Sequence, residues 1–190
     1  MRVIAGSARG REVRAPRGMN TRPMMDIVKG SLFNMLDALG GVSGRALDLF
    51  AGSGSIGIEA LSRGAEFVDF VEHDRDACRV LRENLSRLGF DARARIHMRT
   101  VEQYLGGTPV AYDVVFMDAP YPARVSAALL ERIAGGVWLV PDGVVCIGHH
   151  KHEDMPEAAG LLERIKYRCF GASCISIYAA PAADTGENNV

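Results

Sequence analysis

The sequence predicts an α/β domain built on a mostly parallel, doubly wound sheet, and three observations carry that prediction. Apolar segments of strand length alternate with helical patterns from Arg45 onward. A glycine-rich turn follows the first of those strands, and the chain closes on two strands with no helix between them. Alternation of this kind makes βαβ units whose parallel sheet is covered on both faces. With 190 residues, 48% of them apolar, the chain can bury the core of one domain.

The elements follow in order. Val3 to Ala5 and Glu12 to Val13 read as a small hairpin turning over Gly6 to Gly10. Across residues 24–39, Ile27, Val28, Leu32, Met35, Leu36 and Leu39 recur at helical spacing, and Gly40-Gly41 stops the helix. Strands are expected at 45–50, 67–72, 93–97, 113–117 and 144–148, with helices at 56–63, 74–88, 101–105 and 124–133 between them. Residues 161–169 and 173–179 form an antiparallel hairpin around Phe170-Gly171-Ala172, which brings the strand count to seven. The expected organisation is a basic segment at 1–23, one α/β domain at 24–181 and a loose, acidic tail at 182–190.

Composition narrows the class. No uninterrupted apolar stretch is long enough to span a bilayer, and Met1-Arg2-Val3-Ile4-Ala5-Gly6 lacks the build of a signal peptide, so a cytoplasmic protein is expected. Cys78, Cys146, Cys169 and Cys174 show no Cys-x-x-Cys spacing and are expected as buried free thiols. His149, His150 and His152 surround Lys151 without an acidic or thiolate partner at ligand spacing, so a solvated loop is expected there and no metal. Charge is unevenly placed. Residues 1–30 hold seven basic residues against Glu12 and Asp26, leaving +5 there and −6 on the rest of a chain of net charge −1. Charge alone leaves two readings open, a localised contact with phosphates or a solvated leader.

The turn after the first strand, Asp48-Leu49-Phe50-Ala51-Gly52-Ser53-Gly54, continues to Gly57 and satisfies Gly-x-Gly-x-x-Gly. Glycines there let the backbone turn tightly and approach a nucleoside-bearing cofactor, and Glu72 ends the next strand where a carboxylate can accept from both ribose hydroxyls. NAD, FAD and S-adenosylmethionine sites share this pattern. Asp48 tilts it: a carboxylate at the strand's end repels a pyrophosphate but suits a ligand carrying ammonium and sulfonium charges. A purely structural role, capping the next helix, stays open for Asp48.

A second loop, Asp118-Ala119-Pro120-Tyr121, follows the strand at 113–117. Ligand sites in open α/β sheets sit at this carboxyl edge. The exocyclic amine of a nucleobase is a poor nucleophile because its lone pair is delocalised into the ring. Two acceptors on its hydrogens, the Asp118 carboxylate and the Ala119 carbonyl, favour a pyramidal nitrogen, and Tyr121 can stack on the extruded base. The alternative is an ordinary strand-ending turn in which Asp118 caps a helix.

These residues resemble the amino-methyltransferases that carry an Asp/Asn-Pro-Pro-Tyr/Phe tetrapeptide. From the first strand to about Ala179 the chain is similar to the RsmD family, through Arg2-Val3-Ile4-Ala5-Gly6, Gly10-Arg11, Thr21-Arg22-Pro23, Asp26, Leu32-Phe33-Asn34, the Asp48 loop, Glu59-Ala60-Leu61-Ser62-Arg63-Gly64, Glu72, Asn84-Leu85, the Asp118 tetrapeptide and Phe170-Gly171-Ala172-Ser173. The resemblance implies a Rossmann-like class I methyltransferase fold that uses S-adenosylmethionine to methylate the N2 amine of a guanine in small-subunit ribosomal RNA. It implies a cofactor site at Asp48, Phe50, Gly52, Ser53, Gly54, Glu72, His73 and Thr100, and catalysis at Asp118, Ala119, Pro120 and Tyr121. Arg2, Arg9, Arg11, Arg14 and Arg22 would contact RNA or the assembling subunit, and the protein would act as a monomer. The departures from the family fall at Ala119, Thr100 and Met24, and at Gly148 and His149, where a glutamate is common. Ala119 replaces the first proline, which loosens the loop by about 0.4–1 kcal/mol. Thr100 stands where Asp or Asn is frequent beside the adenine, and Met24 replaces a threonine. The competing functions are a DNA adenine N6-methyltransferase, an RNA-binding relative with weakened turnover, and a dinucleotide oxidoreductase.

Overall fold

A computed structural model describes residues 1–16, 26–119 and 126–180. Helix α1 (Asp26–Asp37) precedes β1 (Arg45–Leu49), α2 (Ser55–Arg63), β2 (Phe67–Glu72) and α3 (Arg75–Leu88). A short 3-10 turn (Asp91–Arg93) leads to β3 (Ala94–Met98), α4 (Val101–Leu105), β4 (Tyr112–Asp118), α5 (Ser126–Ala134) and β5 (Leu139–His150). The chain then forms β6 (Ala158–Ala159), β7 (Leu162–Phe170) and β8 (Ser173–Ala179).

One sheet holds all eight strands in the order β3-β2-β1-β4-β5-β8-β7-β6. The five strands from β3 to β5 run parallel and β8, β7 and β6 continue antiparallel. The expected seven strands are present, and the eighth is the two-residue β6, too short for any alternation to announce it. Strand order reverses between β1 and β4, and a crevice at the carboxyl ends of these strands is where such sheets bind ligands. Asp48 and Asp118 flank that crevice.

Side-chain periodicity explains the layers. In α3, Ala77, Cys78, Val80, Leu81, Asn84, Leu85 and Leu88 form one buried stripe, Asp74 caps the start by accepting from Ala77 N (2.7 Å), and Gly89 ends it in the left-handed region. Leu81 meets Ile58, Leu61 and Phe70 in the core on this face, together with Phe33 and Leu36 of α1. Fully burying each leucine contributes about 1.5–3 kcal/mol. The opposite face packs Leu47, Leu49, Tyr112, Val115 and Tyr178 beneath α4 and α5.

The N-terminal residues belong to the first of these cores. Arg2 and Glu12 form a single antiparallel bridge, supported by Val3 N to Arg11 O, Gly10 N to Val3 O and Val13 N to Met1 O at 2.9 Å each. Val3, Ala8 and Val13 are buried among α2 and α3 residues, so residues 1–16 are docked on the domain and do not form a solvated leader. No helix among the described residues is long and apolar enough to cross a membrane.

Two sequence expectations fail at the far edge of the sheet. Cys169 and Cys174 stand opposite each other in the β7–β8 register and form a disulfide (Cα–Cα 4.0 Å), while Cys78 and Cys146 are the buried free thiols. Cysteine spacing carried no sign of it, because hairpin register and not a Cys-x-x-Cys motif brings the pair together. His149 and His150 close β5 and are not loop residues. His149 is buried, with Nε2 2.9 Å from Ser176 Oγ and Nδ1 3.1 Å from His150 O. The segment 182–190 lies outside the described residues.

Candidate active site

The loop after β1 is held in an uncommon shape. Phe50 adopts φ 61°, a conformation L residues with large side chains seldom take, and Gly52 and Gly54 follow at 54° and 78°. A non-glycine residue there costs on the order of 1–3 kcal/mol, which the surrounding contacts offset. Ala51 N donates to Val71 O (3.0 Å) and Gly54 N to Ala51 O (2.7 Å). The glycines differ in purpose. A Cβ on Gly57 would lie 2.3 Å from the Phe70 ring, and one on Gly54 would lie 2.2 Å from Leu81, so both permit close packing of α2. A Cβ on Gly52 would meet nothing nearer than Phe50 O at 4.0 Å, which leaves its outer side open to a ligand.

Three carboxylates end three neighbouring strands: Asp48 on β1, Glu72 on β2 and Asp118 on β4. Asp48 is buried, and its Oδ2 accepts from Gly57 N (2.9 Å) in the first turn of α2, whose own N-cap is a glycine. Capping, the structural role left open above, is therefore real. The other Asp48 oxygen has no hydrogen-bond partner among the described residues. Burial pushes the Asp48 carboxyl up to about 7, against the Gly57 hydrogen bond, with Asp118 and Glu72 adding to the rise. Asp118 is partly covered, and desolvation pushes its carboxyl up to about 6. No lysine or arginine among the described residues forms an ion pair with any of the three.

Glu72 is more committed than its position suggested. Oε1 accepts from His73 N and Asp74 N (2.8 Å each) and Oε2 from Gly52 N (2.9 Å). A carboxylate offers about four acceptor positions, so roughly one remains for a ribose hydroxyl where two were expected. The exposed His73 side chain lies 3.2 Å from Oε1. Ser53 is buried and gives its carbonyl to Asn84 Nδ2 (3.1 Å). Thr100 sits at the same sheet edge, but its hydroxyl accepts from Gln103 N (3.2 Å) as the N-cap of α4, so its side chain is occupied by a capping box. Ala119 is buried directly after Asp118. Pro120 and Tyr121 lie outside the described residues, as does Arg22.

The basic residues divide. Arg2, Arg9 and Arg14 are exposed, and among the described residues the Arg14 guanidinium makes a long contact to Glu12 (3.9 Å). Arg11 instead turns its guanidinium onto the carbonyls of Arg87 and Leu88 at the end of α3, where a cation complements the helix dipole. Arg11 is itself exposed, so it keeps a place at the surface beside this brace.

Four buried side chains absent from the sequence reading of the site fix the N-terminal segment. Glu59 accepts from Ile4 N (2.7 Å) and Ala5 N (3.0 Å), and pairs with Arg63 Nε (2.9 Å). Lys29 Nζ lies 3.6 Å from Glu59 and donates to Arg2 O and Ser55 Oγ at 3.0 Å each. Burial pushes the Lys29 pKa down, and the Glu59 charge opposes that shift. Ser62 Oγ accepts from Ala8 N (2.9 Å). Asn84, wholly buried, accepts from Arg14 N (3.0 Å) and donates to Arg14 O (2.9 Å) and Ser53 O, tying the segment to the glycine loop. Apart from Arg63, four positions from Glu59, their partners are 26 to 70 positions away in the chain, beyond any local pattern.

Comparison with known proteins gives consistent matches along most of the chain. The family described as conserved hypothetical protein 95 matches residues 1–179. YlbH of Bacillus subtilis is 38% identical over 181 residues, covering 94% of this chain and 98% of that protein. Ribosomal RNA small subunit methyltransferase D of Haemophilus influenzae is 32% identical over 180 residues, covering 90% and 93%. The solved structure of the Escherichia coli protein yhhF superposes with a TM-score of 0.84 at 26% identity, over 96% of this chain and 99% of that one.

Proposed function

The chain belongs to the RsmD family of ribosomal RNA methyltransferases, and from that premise we propose that it transfers a methyl group from S-adenosylmethionine to the exocyclic N2 amine of a guanine in small-subunit ribosomal RNA. The observation that carries the cofactor is the set of three carboxylates with no lysine or arginine partner among the described residues, beside an open glycine cradle. Desolvated carboxylates raised toward neutrality, as at Asp48 and Asp118, favour a cationic ligand, and one with sulfonium and ammonium charges fits that demand. The backbone of 52–54 and the free oxygen of Asp48 would hold it, Phe50 would shape the loop, and Glu72 would take one ribose hydroxyl. When bound, the cofactor supplies an electrophilic methyl group.

The chain's own residues prepare the acceptor. Asp118 and the Ala119 carbonyl each accept a hydrogen of the base amine, which localises the nitrogen lone pair and directs it into the crevice between β1 and β4. The alkylated nitrogen becomes strongly acidic, so its proton passes readily to Asp118, whose carboxyl near 6 can take it and release it to water. Ala119 acts through its backbone, and alanine in place of proline keeps that acceptor. A ribosomal RNA substrate supports placing the enzyme in the cytoplasm.

Asp118→Ala tests the assignment. It should lower methyl transfer to small subunits about 10²–10⁴-fold while cofactor binding persists. Nucleoside mass analysis of the product should give N2-methylguanosine. Methyladenosine, or full activity in the variant, would refute the reading.

A further inference from the structure

We propose that Lys166, Arg168 and Lys151 form a second contact for the RNA backbone, on the flank of the crevice opposite the N-terminal segment. This rests on the ribosomal RNA reading above. The N-terminal segment is bound to α2 and α3, on the β1–β2–β3 side of the sheet, through Glu59, Ser62, Asn84 and Arg87. On the other side, sheet register places Asp118 beside Gly148, Gly148 beside Ile175, and Ile175 beside Arg168. Arg168 therefore lies in the same row as the catalytic carboxylate, three strand spacings away, or roughly 14 Å. Lys166 stands opposite Ile177. Since Ile175 and Ile177 pack into the core on the α1–α3 face, Lys166 and Arg168 project on the face that also carries the N-terminal segment.

These cations are available. Lys166 and Arg168 are exposed and have no carboxylate partner among the described residues, whereas Arg164 on the same strand is engaged by Glu157 and Met155 O. The Arg168 guanidinium lies over the Phe170 ring (5.3 Å), an arrangement that holds it flat and leaves its N–H edge for a phosphate. Exposed Lys151 joins them because its backbone N–H donates to Ala172 O (2.9 Å), which ties the end of β5 to the β7–β8 tip. RNA seated on the crevice between the two flanks would then be held at both, with the target base over Asp118.

A rival explanation is edge protection. β6 pairs only with Leu162 and Glu163, so the rest of β7 is an open edge, and charged side chains discourage strand addition there. Charge reversal separates the two ideas, because glutamates keep an edge charged yet repel phosphate. The experiment measures binding of a small-subunit ribosomal RNA fragment across a KCl series, for the wild type and for Lys166→Glu/Arg168→Glu, with S-adenosylmethionine affinity and thermal melting alongside. The double variant should bind RNA at least tenfold more weakly. Its slope of log affinity against log salt should flatten by roughly 1.4–1.8 for two lost phosphate contacts, with cofactor affinity unchanged. Equal RNA binding and equal slope would overturn the contact and leave the family reading standing. A wild type that binds no ribosomal RNA would remove the substrate reading and this contact with it. Should the double variant melt early, Lys151→Glu in the exposed tip must show the same direction of change, and no change there would overturn the proposal.

Discussion

Two polar regions adjoin α2, one around Glu59 on the helix and one around Asp48, which accepts from Gly57 N, and they are built on opposite principles. Around Glu59, each buried polar group has a partner: two backbone amides, Arg63 and Lys29 on the carboxylate, and Arg2 O and Ser55 on the ammonium. Around Asp48, three carboxylates lie on neighbouring strands without a lysine or arginine ion pair among the described residues, and burial raises the pKa values of Asp48 and Asp118. Satisfied buried groups hold a fold together. Unsatisfied ones weaken it and persist where a ligand completes them. The first region attaches the N-terminal segment, and the second is the proposed cofactor site.

The sharpest way to break this contrast is to unbalance the satisfied side. Glu59→Gln places an amide donor against the Ile4 and Ala5 N–H groups and leaves Lys29 buried without its counter-charge. Removing one partner of a buried pair costs about 3–5 kcal/mol, so chemical denaturation should show a loss of that order. Unchanged stability would mean the network is not holding the segment.

The opposite result is expected on the unsatisfied side. Asp48→Asn keeps an acceptor for Gly57 N but removes the buried charge. The wild-type shift from 3.8 to about 7, at about 1.4 kcal/mol per pH unit, sets an upper bound of about 4 kcal/mol on the penalty relieved. The sign follows from the raised value. The native state holds this proton more tightly than the unfolded chain, so the Asp48 contribution is most favourable below about 3.8 and is lost as pH rises through about 7. The variant should therefore gain stability over wild type at pH 8 and lose that gain toward pH 4, as denaturation at the two pH values would reveal.

A smaller effect tests the link between the regions. Asn84→Asp turns an amide donor that serves Arg14 O and Ser53 O into an acceptor facing two carbonyls. About 1–3 kcal/mol should be lost, with faster proteolysis near Arg14. Intact protection of the segment would show that Asn84 does not anchor it.

What could be read from the sequence followed the range of the interactions. The β1 turn was legible because glycines at fixed spacing mark it, the strand that carries Asp118 because its apolar run is local, and the sheet because strand–helix alternation is local too. Lys29, Glu59 and Asn84 were invisible as anchors, since a buried lysine or asparagine on a helix looks like any polar residue until its distant partner is known. Thr100 and Arg11 carry structural tasks that local pattern did not announce: a cap on α4 and a brace on the end of α3. The disulfide lay between these cases. Its hairpin was legible, but the two-residue register that sets Cys169 against Cys174 was not.

Calorimetric titration of S-adenosylmethionine into wild type and Asp48→Asn, at pH 6 and pH 8, most directly tests whether the partnerless carboxylates are the cofactor site. Wild type should bind more tightly at pH 8 than at pH 6, with proton release on binding near neutrality, and Asp48→Asn should bind weakly with little pH dependence. Equal affinity of the two proteins at both pH values would contradict the account.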